Sequence, residues 1–351
     1  MSLKSLLSFF IFYFPLIVFP QLGNKEINPM NVLFIGNSYT HYNSMPFIFQ
    51  KMATSKNIKI NVEMNAKSNH TFKMHSQRLD MYDVIRSKKW DYVVLQGFSR
   101  ELKYDKEQID TASLPYIKQI LDSIYSRNSC TNVLLFMTWG YENGYTELDS
   151  SATSTYAEMR QSIENGYQYI SNQFDIPIVP IGSVWNAFRQ RYPNIKLYQD
   201  DKQHPSINGS YLCASTFYTS IFKGTAENSF IPKMDSLIAK KIQQFTFKEV
   251  LYSSDKFLLN KNTLKVYSEK LKTQGHIIHG YSNYPNADSL VWDLGNGIKS
   301  KSNNFSITYK LSGTYLIKLT VFDKCGIRVI YRKFEFKPFV KPKKPIKKRK
   351  N

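Results

Sequence analysis

Two short stretches of the chain hold residue types that together form a nucleophile and its base. In Gly36-Asn37-Ser38-Tyr39-Thr40, a serine directly follows the apolar run Asn31 to Ile35. A serine hydroxyl attacks a carbonyl carbon once a base takes its proton, and an imidazole oriented by a carboxylate is such a base. Asp201-Lys202-Gln203-His204-Pro205-Ser206 supplies both, with Asp and His spaced so that one turn holds them. Asp200 ranks second for the carboxylate. Position 40 is Thr, so the G-x-S-x-G nucleophile elbow is absent. Alone, Ser38 reads as a helix cap and His204 as an incidental surface histidine. His41 is closer to Ser38 in sequence, but no carboxylate stands near it.

The elements around these stretches decide whether they meet. Short apolar runs recur at Asn31–Ile35, Ile58–Met64, Tyr92–Leu95, Val133–Met137 and Ile176–Val179. Between them, helical spacing predicts helices over Pro46–Ser55, Ser76–Ser87, Glu107–Tyr125, Thr153–Gln173 and Gly209–Phe222. Strands alternating with helices predict a doubly wound parallel sheet covered on both faces. In such a sheet, ligands bind in the crevice beyond the carboxyl ends of the strands. Ser38 falls there, at a helix start whose N–H groups can hold an oxyanion. From about residue 255 the helical pattern fades. Short alternating runs replace it: His276–His279, Leu290–Trp292, Phe305–Tyr309, Tyr315–Val321 and Val329–Phe336. They predict a small β-sandwich, with the junction at Phe247–Lys256.

The GNSYT and DxxHPS stretches resemble the first and last blocks of the SGNH (GDSL-like) hydrolases. Trp90 to Gly97 resembles that family's third block, Met137-Thr138-Trp139 the end of its fourth strand, and Tyr211 to Ala214 the helix after its histidine. The resemblance spans about 30–222. It implies a three-layer α/β/α, flavodoxin-like sheet over 30–246, and an ester or acetyl substrate handled through a covalent acyl-enzyme without metal or cofactor. It also implies roles: Ser38 as nucleophile and oxyanion donor, His204 as general base and then acid, Asp201 as its orienting partner. The second block, Lys67 to Phe72, lacks the family's Gly, so the Asn69 N–H (or that of Ser68) is expected as oxyanion donor. The third block lacks the family's Asn, so Gln96 is expected as the further donor, ahead of Ser99. Asn37 is expected at the substrate, as is Trp139, which shares the crevice rim with Tyr141. Met74 and His75 are expected to pack onto the sheet, and His70 to line the second-block loop.

Trp292-Asp293-Leu294-Gly295-Asn296-Gly297, then Tyr309, Gly313-Thr314-Tyr315 and Leu319-Thr320-Val321-Phe322-Asp323 resemble the PKD domain. That implies an immunoglobulin-like sandwich over 255–337, with Trp292 in its core and Gly295 and Gly297 in a tight turn.

The first residues bear on location. Lys4 and the apolar run Leu6 to Phe19 read as an export signal over 1–21, with cleavage within Pro20–Lys25. The run is shorter than the about 20 residues a membrane span needs. The chain is therefore expected in the periplasm, at the cell surface or outside the cell; an uncleaved anchor is the alternative. Net charge is +20, and the segment from Lys337 to the end holds eight basic residues and no acidic one. In an exported chain this basic tail (338–351) is expected to meet anionic envelope polymers rather than nucleic acid. Cys130, Cys213 and Cys325 are far apart and odd in number, and are read as small buried hydrophobes. The leading function is ester hydrolysis on an acylated glycan. The alternatives are a lipid or aryl esterase and a binding or adhesion protein that keeps the fold.

Overall fold

The structure, a computed structural model, describes residues 28–145, 155–259, 264–270, 276–282 and 287–336. The export signal and the basic tail expected from the sequence lie outside the described residues. No helix among the described residues is long and apolar enough to cross a membrane.

Five strands, β1 (Met30–Gly36), β2 (Ile60–Ala66), β3 (Tyr92–Leu95), β4 (Asn132–Phe136) and β5 (Ile178–Val179), form one sheet in the order β2-β1-β3-β4-β5. All pairings are parallel; Val32 of β1 lies opposite Val62 on one side and Tyr92 on the other. This is a doubly wound parallel sheet, as expected, in the flavodoxin-like form that the resemblance implied. The chain leaves β1 toward β2 and returns past it to β3, so the winding reverses between β1 and β3, where a crevice opens. The apolar run of β1 is buried on both faces, which the covering helices require.

Those helices are α1 (Ser38–His41), α2 (Met45–Ser55), α3 (Phe72–Ser76), α4 (Leu79–Ser87), α5 (Lys106–Ala112), α6 (Leu114–Arg127), α7 (Tyr156–Phe174), α8 (Ile181–Arg191), α9 (Ile207–Phe222) and α10 (Ser236–Ser253). Several depart from expectation. The helix expected over 76–87 begins only at Leu79, after the separate α3. Met74 is exposed, while His75 is fully buried as expected. The helix expected over 107–125 breaks at Ser113, whose φ of −129° is not helical. Pro115, lacking an N–H, then sits in the first turn of α6, where no intrahelical donor is needed. Helices α8 and α10 had no counterpart in the sequence pattern.

The first unit also runs past the expected limit at 246, which falls inside α10. Phe257 is buried in the same core, its carbonyl accepts the Ile178 N–H at 2.9 Å, and Lys256 pairs with buried Glu164.

Beyond it lie two antiparallel sheets with a core of their own around Ile278, Trp292, Leu294, Tyr309, Ile317 and Leu319. One sheet joins β6 (Leu264–Lys270), β7 (His276–Ser282) and β10 (Asn304–Tyr309). The other joins β8 (Ser289–Asp293), β9 (Lys299–Ser300), β11 (Gly313–Asp323) and β12 (Gly326–Phe336). Buried Trp292 gives its indole N–H to the Ser302 carbonyl at 2.8 Å, so its one polar atom is satisfied. Gly295 and Gly297 turn the chain at φ of 70° and 87°, where a side chain would be strained.

The cysteine expectation is corrected in part. Cys130, just before β4, is disulfide-bonded to Cys325 in the β11–β12 turn; only Cys213 is a free, buried thiol. The partners are 195 residues apart, so no local spacing announces the bond.

Candidate active site

The turn after β1 is built around Asn37. Its side-chain oxygen accepts the Tyr39 N–H at 3.1 Å, and its carbonyl accepts those of Thr40 and His41. The Ser38 N–H is thereby left without an acceptor among the described residues. Gln96, from the end of β3, braces the turn from below. Its Oε1 accepts the Asn37 N–H at 2.9 Å and the Thr40 hydroxyl at 2.8 Å. Gly36 is the residue this bracing demands, because a Cβ there would lie 2.2 Å from Thr40 Oγ1 and 2.7 Å from Gln96 Oε1.

The second half of the site is the loop 197–206. Tyr198 and Pro205 form an antiparallel bridge, and Gln199 N–H donates to the His204 carbonyl at 2.8 Å. Lys202 takes a φ of 63° to close the turn. Asp201 Oδ1 accepts the N–H groups of Gln203 at 3.0 Å and His204 at 2.9 Å, while Oδ2 meets His204 Nδ1 at 2.5 Å. His204 Nε2 then lies 2.9 Å from Ser38 Oγ. A carboxylate only accepts, so Nδ1 carries the proton and the Nε2 lone pair faces the serine. Tyr42 stacks on the imidazole with centroids 4.3 Å apart, and Tyr39 meets it edge-on at 5.5 Å.

The charges suit this arrangement. Partial burial works against the Asp201 carboxylate, but the Gln203 N–H, the His204 imidazole and the His204 N–H outweigh it and hold the group below the usual carboxylate range. Asp201 is thus an anion whenever His204 is a neutral base. Asp200 is exposed, and it is Asp201 whose carboxylate meets the imidazole. His41 is depressed by burial and by the nearby His204, and its Nε2 lies 2.9 Å from Ser68 Oγ.

Of the expected oxyanion donors, the backbone N–H groups of Ser38 and Asn69 are left unspent among the described residues, and Gln96 is turned elsewhere. Because the Asn37 N–H can only donate, the Gln96 atom it meets must be oxygen; the amide nitrogen therefore donates to the Gly97 carbonyl. Gln96 is fully buried as a brace, so the expectation of a side-chain donor is corrected. Asn69 takes a φ of 61°, the left-handed backbone a Gly would otherwise supply. Its N–H donates to no other group among the described residues. The loop carrying it borders the nucleophile turn: Asn37 Nδ2 donates to the His70 carbonyl at 3.4 Å and to that of Gly97 at 3.1 Å.

Known proteins share parts of this architecture. The PKD domain model matches residues 286–327. Among solved structures, the first unit is similar to a DUF4886 family protein from Bacteroides uniformis. The two share 19% identity over 64% of this chain and 96% of that one, with a TM-score of 0.56. The first unit shares its doubly wound, three-layer α/β fold with that protein. Two further structures align at lower TM-scores. A protein proposed to be an SGNH hydrolase from Slackia heliotrinireducens has 20% identity, a TM-score of 0.46 and coverage of 55% of this chain and 100% of its own. An acetyl xylan esterase has 14% identity, a TM-score of 0.43 and coverage of 55% and 100%. No curated protein matches the chain.

Two other expectations change within this fold. Asn37 is 2% exposed and spent on capping, so it is not a substrate contact. Trp139 is fully buried between Tyr39 and Trp185, with centroids 4.4 and 4.1 Å away, and its indole N–H donates to the Gln203 carbonyl at 3.0 Å. It props the histidine loop against the serine turn instead of meeting a sugar. Tyr141 is buried too, its hydroxyl 2.8 Å from Ser99 Oγ. Sequence reasoning missed Tyr42 and Glu101. Glu101 lies in Phe98-Ser99-Arg100-Glu101-Leu102-Lys103, which reads as an ordinary charged loop, yet its carboxylate is buried.

Proposed function

We propose that this protein is an exported serine esterase that removes ester-linked acyl groups, acetyl above all, from a carbohydrate. The observation that carries the chemistry is the relay from Ser38 Oγ through His204 to Asp201, at 2.9 and 2.5 Å, beside an unspent Ser38 N–H. In this reading Ser38 Oγ gives its proton to His204 Nε2 and bonds to the ester carbonyl carbon. The N–H groups of Ser38 and Asn69 hold the oxyanion. The tetrahedral adduct collapses, the C–O bond to the alcohol breaks, and imidazolium returns the proton to the leaving oxygen. Water, deprotonated by the same imidazole, then attacks the acyl-serine and releases the acid. Asp201 keeps its charge throughout and stabilises the imidazolium.

Export is supported by the apolar amino-terminal run and by the Cys130–Cys325 disulfide, since such bonds persist in oxidising compartments. A polymer-bound substrate is supported by the appended PKD domain, which together with the basic tail would hold the enzyme on an acylated polysaccharide. Ser38→Ala should abolish hydrolysis of p-nitrophenyl acetate while the protein stays folded; unchanged hydrolysis would remove the nucleophile assignment. Acetate release from a panel of acetylated polysaccharides tests the substrate class. Turnover of aryl and lipid esters alone would replace the carbohydrate reading.

A further inference from the structure

We infer that Glu101 is a positioning residue for the oxyanion hole, its carboxylate locking the turn after β2 to the turn after β3 so that the Asn69 N–H stays beside Ser38. This rests on the ester-hydrolase reading above. The carboxylate is more than nine-tenths buried and touches three separate segments. Its two oxygens accept the Phe72 N–H at 3.0 and 3.1 Å, at the start of α3 and three residues past Asn69. Oε2 also accepts the Phe98 N–H at 2.9 Å, in the turn that follows Gln96 and Gly97. Oε1 accepts the Ser113 hydroxyl at 3.1 Å, at the break between α5 and α6. Gly97 is fitted to this arrangement, because a Cβ there would lie 2.6 Å from Glu101 Oε2 and 2.4 Å from the Phe72 ring.

The geometry gives the tie its effect on Ser38. The loop 68–70 is held on its nucleophile side by Asn37 Nδ2 and by the His41–Ser68 contact. Glu101 holds it on the far side, through Phe72. Asn37 Nδ2 also holds the Gly97 carbonyl, so serine turn, oxyanion loop and third-block turn form one closed hydrogen-bonded circuit. Glu101 is the only carboxylate in that circuit. A carboxylate binds N–H donors about twice as strongly as a neutral acceptor does. The titratable group facing it from α7 is the buried Tyr167 phenol, and no ion pair with it is formed among the described residues. Burial raises Glu101 to about 7, against the N–H groups of Phe98 and Phe72 and the Ser113 hydroxyl, which favour the anion.

The test is the pH dependence of p-nitrophenyl acetate hydrolysis by the full chain and three variants. Glu101→Gln keeps the shape but fixes one neutral acceptor where two oxygens now serve. At about pH 8.5 its kcat should fall roughly tenfold with KM within about twofold, because a displaced oxyanion donor matters in the transition state. Near pH 5.5 the parent's own Glu101 is protonated, so the ratio of parent to variant should shrink toward one. Any pH dependence that the two proteins share cancels from the ratio. Ser113→Ala removes one donor from the anion and should move the alkaline rise in kcat to higher pH. Equal kcat at pH 8.5, a ratio flat with pH, or a loss confined to KM would overturn the proposal. If Glu101→Gln does not fold, an unmoved Ser113→Ala profile overturns it and a shifted one supports it. Ser38→Ala separates the two levels: its full activity would sink the esterase reading, whereas its inactivity beside an unaffected Glu101→Gln would sink only the positioning role.

Discussion

Gln96 Oε1 accepts the backbone N–H of Asn37 at 2.9 Å, one residue before the nucleophile. The same oxygen takes the Thr40 hydroxyl, so one buried amide fixes both sides of the serine. Gln96→Leu would leave that N–H and that hydroxyl buried without an acceptor. Each orphaned group costs about 1–3 kcal/mol, so urea unfolding should show a loss on the order of 2–4 kcal/mol. Activity should fall with it, because Ser38 loses its bracing. An oxyanion donor would behave otherwise: its removal would lower kcat and leave stability in place.

Asp201→Asn should slow ester hydrolysis roughly a thousandfold, with little change in melting temperature. The amide oxygen can still accept the N–H groups of Gln203 and His204, so the turn survives. The amide nitrogen then faces His204 Nδ1 and favours the tautomer that protonates Nε2, the atom that must accept the serine proton. Asp200→Asn is the control and should retain parental kcat/KM. Parity between the two variants would show that the imidazole needs no oriented carboxylate.

Much of this site is legible in the sequence because it is local. Ser38 follows directly on the apolar run of β1, and Asp201 and His204 share one turn. The second-block loop left Asn69 and Ser68 both open, and Asn69 takes the left-handed backbone that Asn tolerates in place of Gly. The roles of Gln96 and Trp139 were not legible. Each depends on which way a buried side chain points, and each contacts a segment about 60 residues away. Glu101 escaped because its neighbours Arg100 and Lys103 make the segment look solvated. The parallel sheet covered on both faces followed from alternation, and its flavodoxin-like form from the family resemblance, whereas α8 and α10 did not stand out from their surroundings.

Glu101 also links function to stability in a direction opposite to its role in rate. Its carboxyl is raised to about 7 in the folded protein, from an ordinary value of 4.5. Between those values the native state binds more protons than the unfolded one, so unfolding free energy falls as pH rises through that window. The amide of Glu101→Gln does not titrate. The stability of this variant relative to the parent should therefore increase between about pH 4.5 and pH 7, on the order of 3 kcal/mol by the linkage relation. Chemical denaturation of both proteins at pH 4.5 and pH 8 measures it. A variant slower than the parent at pH 8 yet no less stable separates positioning from structural support; a difference constant with pH would mean that the buried group does not titrate there.

The Cys130–Cys325 bond should matter to the sandwich and not to the chemistry. Cys130 precedes β4, at the amino end of the sheet, whereas Ser38 and His204 stand at the carboxyl ends. The chain itself leaves the first unit at the same end, where the Phe257 carbonyl meets Ile178 at the start of β5. Two attachments at one end hold the β11–β12 turn at the end of the sheet opposite the strand ends that carry Ser38. Cys325→Ser should keep kcat/KM on a small ester within about twofold. The sandwich should lose on the order of 2–4 kcal/mol, because the bond no longer restricts its unfolded chain. Calorimetry should then show a carboxy-terminal transition at lower temperature beside an unmoved first-unit transition. Peptide mapping without reductant should recover the Cys130 and Cys325 peptides joined and Cys213 alone open to alkylation after denaturation. Three alkylated cysteines would show the bond to be absent, and a slower small-ester reaction in Cys325→Ser would show that the sandwich reaches the site after all.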